Sequence, residues 1–327
     1  MNIKYTDFCK KKISNIGYGC ATLAELYNSF NNNEYLDVLE YAYKSGINYY
    51  DVAPFYGGGI AENRLSEFLK IYNINREKIF IASKIGRYTE ENSLSGAGGY
   101  FDFTPSKIEE SIKISMNKFN TNYIDLIQCH DIENIDMNTI LDILPLLEHY
   151  KSIGKINGIG INSYPIEPLK NIINNTNIKI DSVGTYAHNT IINDSIKKDI
   201  EYFKEKNIKI INSSPLAMGL LTKEGPPDWH PASEKMLNTV KDLEIYLTKN
   251  NENITDISMR YSLSNNNILT TITGAKNIGE VDKNILSIDK YISNKMLIDI
   301  EKIVKPIKNC LWGPEEGITP IYNWKYI

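Results

Sequence analysis

The segment DVAPFYGGGIAEN, residues 51–63, sets a carboxylate and a phenol five positions apart, Asp51 and Tyr56, where the apolar run INYY gives way to glycines. Further along, a lysine ends KIFIASK (Lys84) and a histidine follows YIDLIQC (His130). Singly, each has an ordinary explanation: a turn former, a packed loop ring, a solvated lysine, a structural histidine. Jointly they describe proton chemistry. A carboxylate facing a lysine keeps the ammonium charged, and an ammonium beside a phenol favours the phenolate, lowering a pKa that starts at about 10. A phenol tuned in this way exchanges a proton near neutral pH, where a general acid–base is useful. A neighbouring imidazole can hold a substrate oxygen and share in the transfer.

These residues need a scaffold that brings strand ends together. Candidate strands are SNIGYG (14–19), GINYYDV (46–52), KIFIASK (78–84), YIDLIQC (123–129), KINGIGI (155–161), IDSVGTY (180–186), IKIINSS (208–214) and ILTTITG (268–274). Between them, 33–45, 61–73, 105–119, 138–152, 166–175, 192–206 and 233–251 repeat apolar residues at three- and four-residue intervals, as a helix with one buried face requires. Strand and helix alternate without runs of strands, which argues for parallel pairing through crossover helices. IFIAS, IDLIQC and IKIIN are apolar throughout, as strands covered on both faces are. This count predicts a (β/α)8 TIM barrel in one domain spanning 1–327. A doubly wound sheet is the competitor, but GYGCAT lacks the glycine-rich phosphate turn expected after its first strand. In a barrel, chemistry sits at the carboxyl ends of strands, where Asp51, Lys84 and His130 fall.

With 42% hydrophobic and 23% charged residues over 327 positions, the chain has the make-up of a globular protein with a sizeable core. A net charge of -4, without blocks of like sign, offers no electrostatic footprint for nucleic acid. The longest apolar runs fall short of a membrane span, and MNIKYTDFCKKK has no apolar segment of a secretory signal. Four scattered cysteines, Cys9, Cys20, Cys129 and Cys310, read as reduced thiols in a cytoplasmic protein. No metal is expected: His130–Asp131 lacks partner ligands, and there is no HxxxH or cysteine cluster. Gly57–Gly59 lack the GK[ST] ending of a phosphate loop.

In their order and spacing, Asp51, Tyr56, Lys84 and His130 resemble the tetrad of the aldo-keto reductases, nicotinamide-dependent barrel oxidoreductases, and the resemblance runs from ISNIGYG to GAKNIGEVDKN. GYFDFTPSKIEESI (99–112), YIDLIQCHDIE (123–133), SPLAMGLLT (214–222) and GPPDWHPAS (225–233) are similar to its L-galactose dehydrogenase and aldose dehydrogenase branch. The resemblance implies Tyr56 as general acid–base, Lys84 and Asp51 as its tuning pair, and His130 as the residue that orients substrate. It implies oxidation of an L-galactose-like aldose at C1 to a lactone. The alternatives are NADPH-dependent reduction of a small carbonyl and, further off, non-catalytic cofactor binding as in potassium-channel subunits. The partner would be a small sugar or carbonyl; oligomeric state is left open.

The same resemblance assigns the cofactor residues. Asn162 and Ser163 would hold the nicotinamide carboxamide, in the reverse of the family's usual Ser-Asn order. Ser214, Leu216 and Gly219 would wrap the pyrophosphate; Gly274, Ala275, Lys276 and Asn284 would hold the adenosine. Glu280 stands where NADPH-preferring relatives carry an arginine. A carboxylate there repels a phosphate dianion and accepts a hydrogen bond from a free ribose 2′-hydroxyl, so NAD is expected, with NADP admitted through Lys276. A plainer reading makes Glu280 a first-turn helix residue favoured by the dipole. Ser213 replaces the family's stacking aromatic ring. For substrate, Ala21 lies in the loop after the first strand, His188 at the end of the sixth would face the pocket, and Trp229 would form an apolar wall. Segments 20–33 and 86–99 and the tail 310–327 would line the mouth.

Overall fold

A turn with two left-handed residues opens the architecture. In a computed structural model, which describes residues 3–25, 30, 33–90 and 99–311, Cys9 (φ 42°) and Lys10 (φ 69°) join β1 (Tyr5–Phe8) to β2 (Lys11–Ser14) in an antiparallel hairpin. Positive φ at both central positions matches the twist of a tight hairpin. This hairpin was not foreseen, because Cys-Lys carries none of the Asn-Gly chemistry that marks such turns.

Then come β3 (Ile16–Gly19), β4 (Tyr49–Asp51) and β5 (Phe80–Ile85), a small antiparallel pair β6 (Arg87–Tyr88) and β7 (Tyr100–Phe101), and β8 (Leu126–Cys129). β9 (Ile159–Asn162), β10 (Ser182–Tyr186), β11 (Lys209–Ser213) and β12 (Ile268–Thr273) follow. The eight strands β3, β4, β5, β8, β9, β10, β11 and β12 pair in parallel and close into a barrel, with β12 back against β3. Each lies within or overlaps one of the eight segments expected from the sequence.

Helices α1 (Glu34–Lys44), α2 (Ile60–Ile71), α3 (Pro105–Lys118), α4 (Met137–Ser152), α5 (Ile166–Asn174), α6 (Ile200–Glu205) and α7 (Glu234–Lys249) fall in the seven expected stretches. Segment 192–206 is a 3-10 turn, Ser195–Lys198, followed by the shorter α6. Beyond the seven stretches lie α8 (Ile254–Leu263), α9 (Ile278–Leu286) and α10 (Asn294–Val304), of which only α9 was weighed, through Glu280 as a first-turn helix residue. Asn253, Asn277 and Ser293 cap them by accepting backbone N–H donors. Thus β11 is followed by two helices, while α9 packs on α1 and α10 on α7 to close the outer ring.

Inside the barrel, side chains alternate along each strand. At the amino-terminal end Tyr49 stacks on Phe80, ring centroids 5.0 Å apart and 13° between planes. Phe8 and Ile13 of the hairpin join Leu126, Ile211 and Leu269 beside them in a buried apolar plug. Asp125, fully buried, ties the hairpin down: it pairs with Lys11 (2.9 Å) and Arg76 (2.6 Å) and accepts from the Ile81 N–H (2.9 Å). The plug closes one end, leaving the carboxyl ends of the strands to form a site.

Candidate active site

The strand period sets the catalytic candidates. β4 and β5 pair Tyr49 with Phe80 and Asp51 with Ala82, so the inward face of β4 ends on Asp51 and that of β5 reaches Lys84 one step higher. The Lys84 ammonium is buried, contacts Asp51 Oδ1, and donates to Val52 O (3.3 Å) and Tyr56 Oη (3.1 Å). Burial alone would lower its pKa, but the charges of Asp51 and Tyr56 outweigh this and hold it above the usual lysine value. Gln128, a residue the sequence did not single out, donates from Nε2 to Asp51 Oδ2 at 3.1 Å. Tyr56 is carried by a turn whose next residues, Gly57 (φ 64°), Gly58 (φ 56°) and Gly59 (φ 92°), are all left-handed and lead into α2. Their glycines serve backbone geometry.

His130 follows β8 and meets Tyr56 edge-on, ring centroids 5.9 Å apart at 88°, with Phe55 at 5.8 Å and 82°. Burial pushes the imidazole pKa down to about 3; Asp131 opposes the shift, while Lys84 and Arg87 add to it. The ring is therefore neutral at physiological pH. Beside it, Asp131 (φ 51°) pairs with Arg87, whose guanidinium lies 3.8 Å over the Phe55 ring. Glu133 accepts from the Tyr164 N–H (3.1 Å), and burial, then Asp131, raise its carboxyl to about 8. Arg87 and Glu133 went unnoticed, and Asp131 was weighed only as a metal ligand, because the contacts with Arg87 and Tyr164 span long sequence separations.

A groove of about 940 Å³ begins at Asp51 and Tyr56 and extends past Ala21, Ser214, Leu216 and Gly219 to Gly274, Lys276, Glu280 and Asn284. Ser214 (φ 54°), Met218 (φ 51°) and Gly219 (φ 98°) bend the chain along its wall. Gly274 is obligatory: a Cβ there would overlap Thr22 Cγ2 from the loop after β3. Thr22, from the expected segment 20–33, also lines the groove, as do Asn253, Thr255 and Asp256, which were not foreseen. Ala275 is buried and accepts the Tyr18 hydroxyl at 2.6 Å. Asn162 and Ser163 lie off the groove at the end of β9, with Asn162 Oδ1 and Ser163 Oγ buried and without a hydrogen-bond partner.

Glu280 stands in the first turn of α9 and also lines the groove. Asn277 Oδ1 accepts from the Glu280 N–H (2.9 Å), while the Glu280 carboxylate accepts from the Lys276 N–H (2.9 Å) and Asn277 Nδ2 (3.1 Å). This is a capping arrangement at the start of α9, with the carboxylate on the groove wall. Two substrate candidates lie elsewhere. His188 is buried, its Nδ1 shared between Tyr186 O (2.8 Å) and Thr185 Oγ1 (3.1 Å), and it does not line the groove. Trp229 is half-buried and stacks on His230 at 6.3 Å; it too is off the groove. Residues 26–29, 31–32 and 91–98 of the expected mouth segments, and tail residues 312–327, lie outside the described residues. Among the described residues no helix is long and apolar enough to cross a membrane.

A barrel with a buried Asp–Lys pair touching a half-buried tyrosine at its carboxyl-terminal mouth and a long groove beside it defines a class. The model of the Aldo/keto reductase family matches residues 15–305, and the chain belongs to that family. It is an oxidoreductase of a family that uses NAD(P)H. It is 30% identical over 307 residues to L-galactose dehydrogenase of Arabidopsis thaliana, covering 92% of this chain and 93% of that protein. To D-arabinose 1-dehydrogenase of Saccharomyces cerevisiae it is 26% identical over 279 residues, 81% of this chain and 79% of the other. The fold matches the holo form of an aldo-keto reductase from Bacillus halodurans with a TM-score of 0.74 at 21% identity, covering 92% and 96% of the two chains.

Proposed function

We propose that this chain oxidises an aldose of the L-galactose type at C1 to its lactone, with Tyr56 as general acid–base and NAD as the preferred acceptor. The observation that carries the reading is the buried Asp51–Lys84 pair in contact with Tyr56, which opens onto the start of the groove. The 30% identity to an L-galactose dehydrogenase supports the sugar. The residues present fit a dinucleotide. The groove runs from Tyr56 to Asn284, and the orphaned Asn162 Oδ1 at the barrel mouth suits a carboxamide donor. Asn162 and Ser163 would take the carboxamide, Ser214, Leu216 and Gly219 the pyrophosphate, and Gly274, Ala275, Lys276 and Asn284 the adenosine.

The bound nicotinamide supplies the acceptor for the hydride that leaves C1. The chain's own residues handle the proton. Tyr56 Oη takes the proton of the C1 hydroxyl, and the Lys84 ammonium at 3.1 Å stabilises the charge on the phenol oxygen during the exchange. Asp51, held by Lys84 and Gln128, keeps that ammonium charged and aimed. Neutral His130 orients the sugar oxygen beside Tyr56. Glu280 places a negative charge at the groove wall, unfavourable to a 2′-phosphate, and lies 4.0 Å from Lys276, the cation that would otherwise attract one.

The test is absorbance of the reduced nicotinamide with purified protein, a panel of aldoses, and NAD or NADP in separate wells. A rise with NAD and an L-sugar is expected. Silence with every sugar, together with NADPH consumption on simple aldehydes, would replace the reading with carbonyl reduction.

A further inference from the structure

The ion pair Arg87–Asp131 is absent from the chain of contacts that tunes Tyr56, yet it is built into the same wall. β5 ends at Ile85, and the backbone turns at Gly86 (φ 90°), where a Cβ would overlap the Phe103 ring. That turn delivers Arg87 onto the face of Phe55, 3.8 Å from guanidinium to ring centroid. Phe55 in turn meets both Tyr56 (6.3 Å, 64°) and His130 (5.8 Å, 82°) edge-on. From the other side, Asp131 reaches Arg87 with one carboxylate oxygen, and the same Oδ2 lies 3.7 Å from His130 Nε2. Arg87, Asp131 and His130 are all buried. Buried charges persist when paired, and breaking such a pair leaves the survivor uncompensated.

We propose that the Arg87–Asp131 pair is a positioning device for His130: it braces the ring against Phe55 and offsets the carboxylate at its flank. Among the described residues, the charged or titratable groups facing His130 are Lys84 from β5, Arg87 from β6, Asp131 next in sequence, and Tyr56, with Asp51 behind Lys84 and Glu133 behind Asp131. Only Asp131 favours a protonated ring, and Arg87 is its ion-pair partner. Burial alone would raise the Asp131 carboxyl; His130 first, then Arg87 by charge and hydrogen bond, hold it below the ordinary carboxylate value. A neutral imidazole can both accept and donate a hydrogen bond toward a sugar hydroxyl, whereas an imidazolium only donates. A cationic ring would also stand beside the Lys84 ammonium and compete with it for charge on Tyr56. The catalytic side of this inference rests on the aldose-oxidation reading; the electrostatic side does not.

The experiment is an NMR titration of the imidazole carbons and protons, practical because the chain has 4 histidines and His130→Gln identifies the signal. In the native chain the His130 signal should stay fixed between about pH 5 and 9. In Arg87→Gln, checked for folding by circular dichroism, the midpoint should move up from the native value while burial still holds it below the ordinary imidazole value of about 6.5, so the signal should begin to move at the acid end of that range. Arg87→Lys and the double variant Arg87→Gln/Asp131→Asn should both return it to a fixed signal. A fixed signal in folded Arg87→Gln, or equal titration in the double variant, overturns the proposal. Should Arg87→Gln not fold, the double variant decides by kinetics. A kcat lower by about ten-fold at unchanged KM supports positioning. A raised KM at unchanged kcat would make the pair a substrate contact and overturn it. Because the titration needs no substrate, it stands even if no aldose is oxidised.

Discussion

The two ends of the barrel are made by the same strands, yet residues two to four positions apart meet opposite conditions. At the amino-terminal end Tyr49 and Phe80 stack in an apolar plug closed by Phe8 and Ile13. At the carboxyl-terminal end the inner faces of the same β4 and β5 carry Asp51 and Lys84, equally buried but charged. The first end gains free energy by removing apolar surface from water. The second must hold charge out of water, which is tolerated only while each charge keeps its partner. Stability and chemistry are thus separated by one turn of the pleat, and substitutions at either end should separate them in measurement.

The largest effect is expected at Lys84. Lys84→Met leaves Asp51 buried with Gln128 as its remaining side-chain partner, at a cost of roughly 3–5 kcal/mol in urea unfolding, and turnover should fall by about 10²–10⁴-fold. Phe80→Ala should lower stability by about 3–5 kcal/mol while leaving turnover per folded molecule nearly unchanged. Loss of turnover there beyond the unfolded fraction would show the two ends to be coupled.

The acid limb of stability sharpens the comparison. His130 and His188 have ordinary values of 6.5 but are held down to about 3 and about 4 by burial, so both are neutral when folded. The unfolded chain gains their protons below 6.5 and the folded chain does not, so their stabilisation is present above that pH and is lost as pH falls toward 4. Each contributes a slope of at most about 1.4 kcal/mol per pH unit there. Chemical unfolding between pH 4 and 7 should show it, and His188→Gln should flatten part of it. The smallest effect is expected at Glu280: Glu280→Gln should raise the NADP-to-NAD preference about five-fold, or roughly 1 kcal/mol, in kcat/KM. No change would reduce Glu280 to its helix cap.

The barrel was legible because strands covered on both faces are continuously apolar, and β5 and β8 are buried throughout. Asp51, Tyr56 and Lys84 were legible only jointly, because a carboxylate, a phenol and an ammonium that can tune one another fall at the ends of successive strands and in the loop behind one of them. Gln128 was not, since a buried amide has no signature until its partner Asp51, 77 residues away, is placed. Arg87 and Asp131 were hidden in the same way, 44 residues apart. His188 was expected to face the pocket from the end of the sixth strand, but β10 ends at Tyr186 and Ala187 turns left-handed (φ 60°), which carries the imidazole into its own loop. Helix α9 was read as a cofactor segment, its helical start weighed only through Glu280, although Asn277 and Glu280 stand three apart as a cap signal.

The measurement that bears most directly on the account compares the native chain with Tyr56→Phe, following nucleotide reduction with the best aldose and nucleotide affinity by fluorescence. Removing one hydroxyl deletes the proton carrier while leaving the ring, the groove and the Asp51–Lys84 pair in place. Turnover lower by about 10²–10⁴-fold with nucleotide affinity changed less than about three-fold is the expected result. Turnover within a few-fold of the native chain would contradict the assignment of Tyr56 as the acid–base.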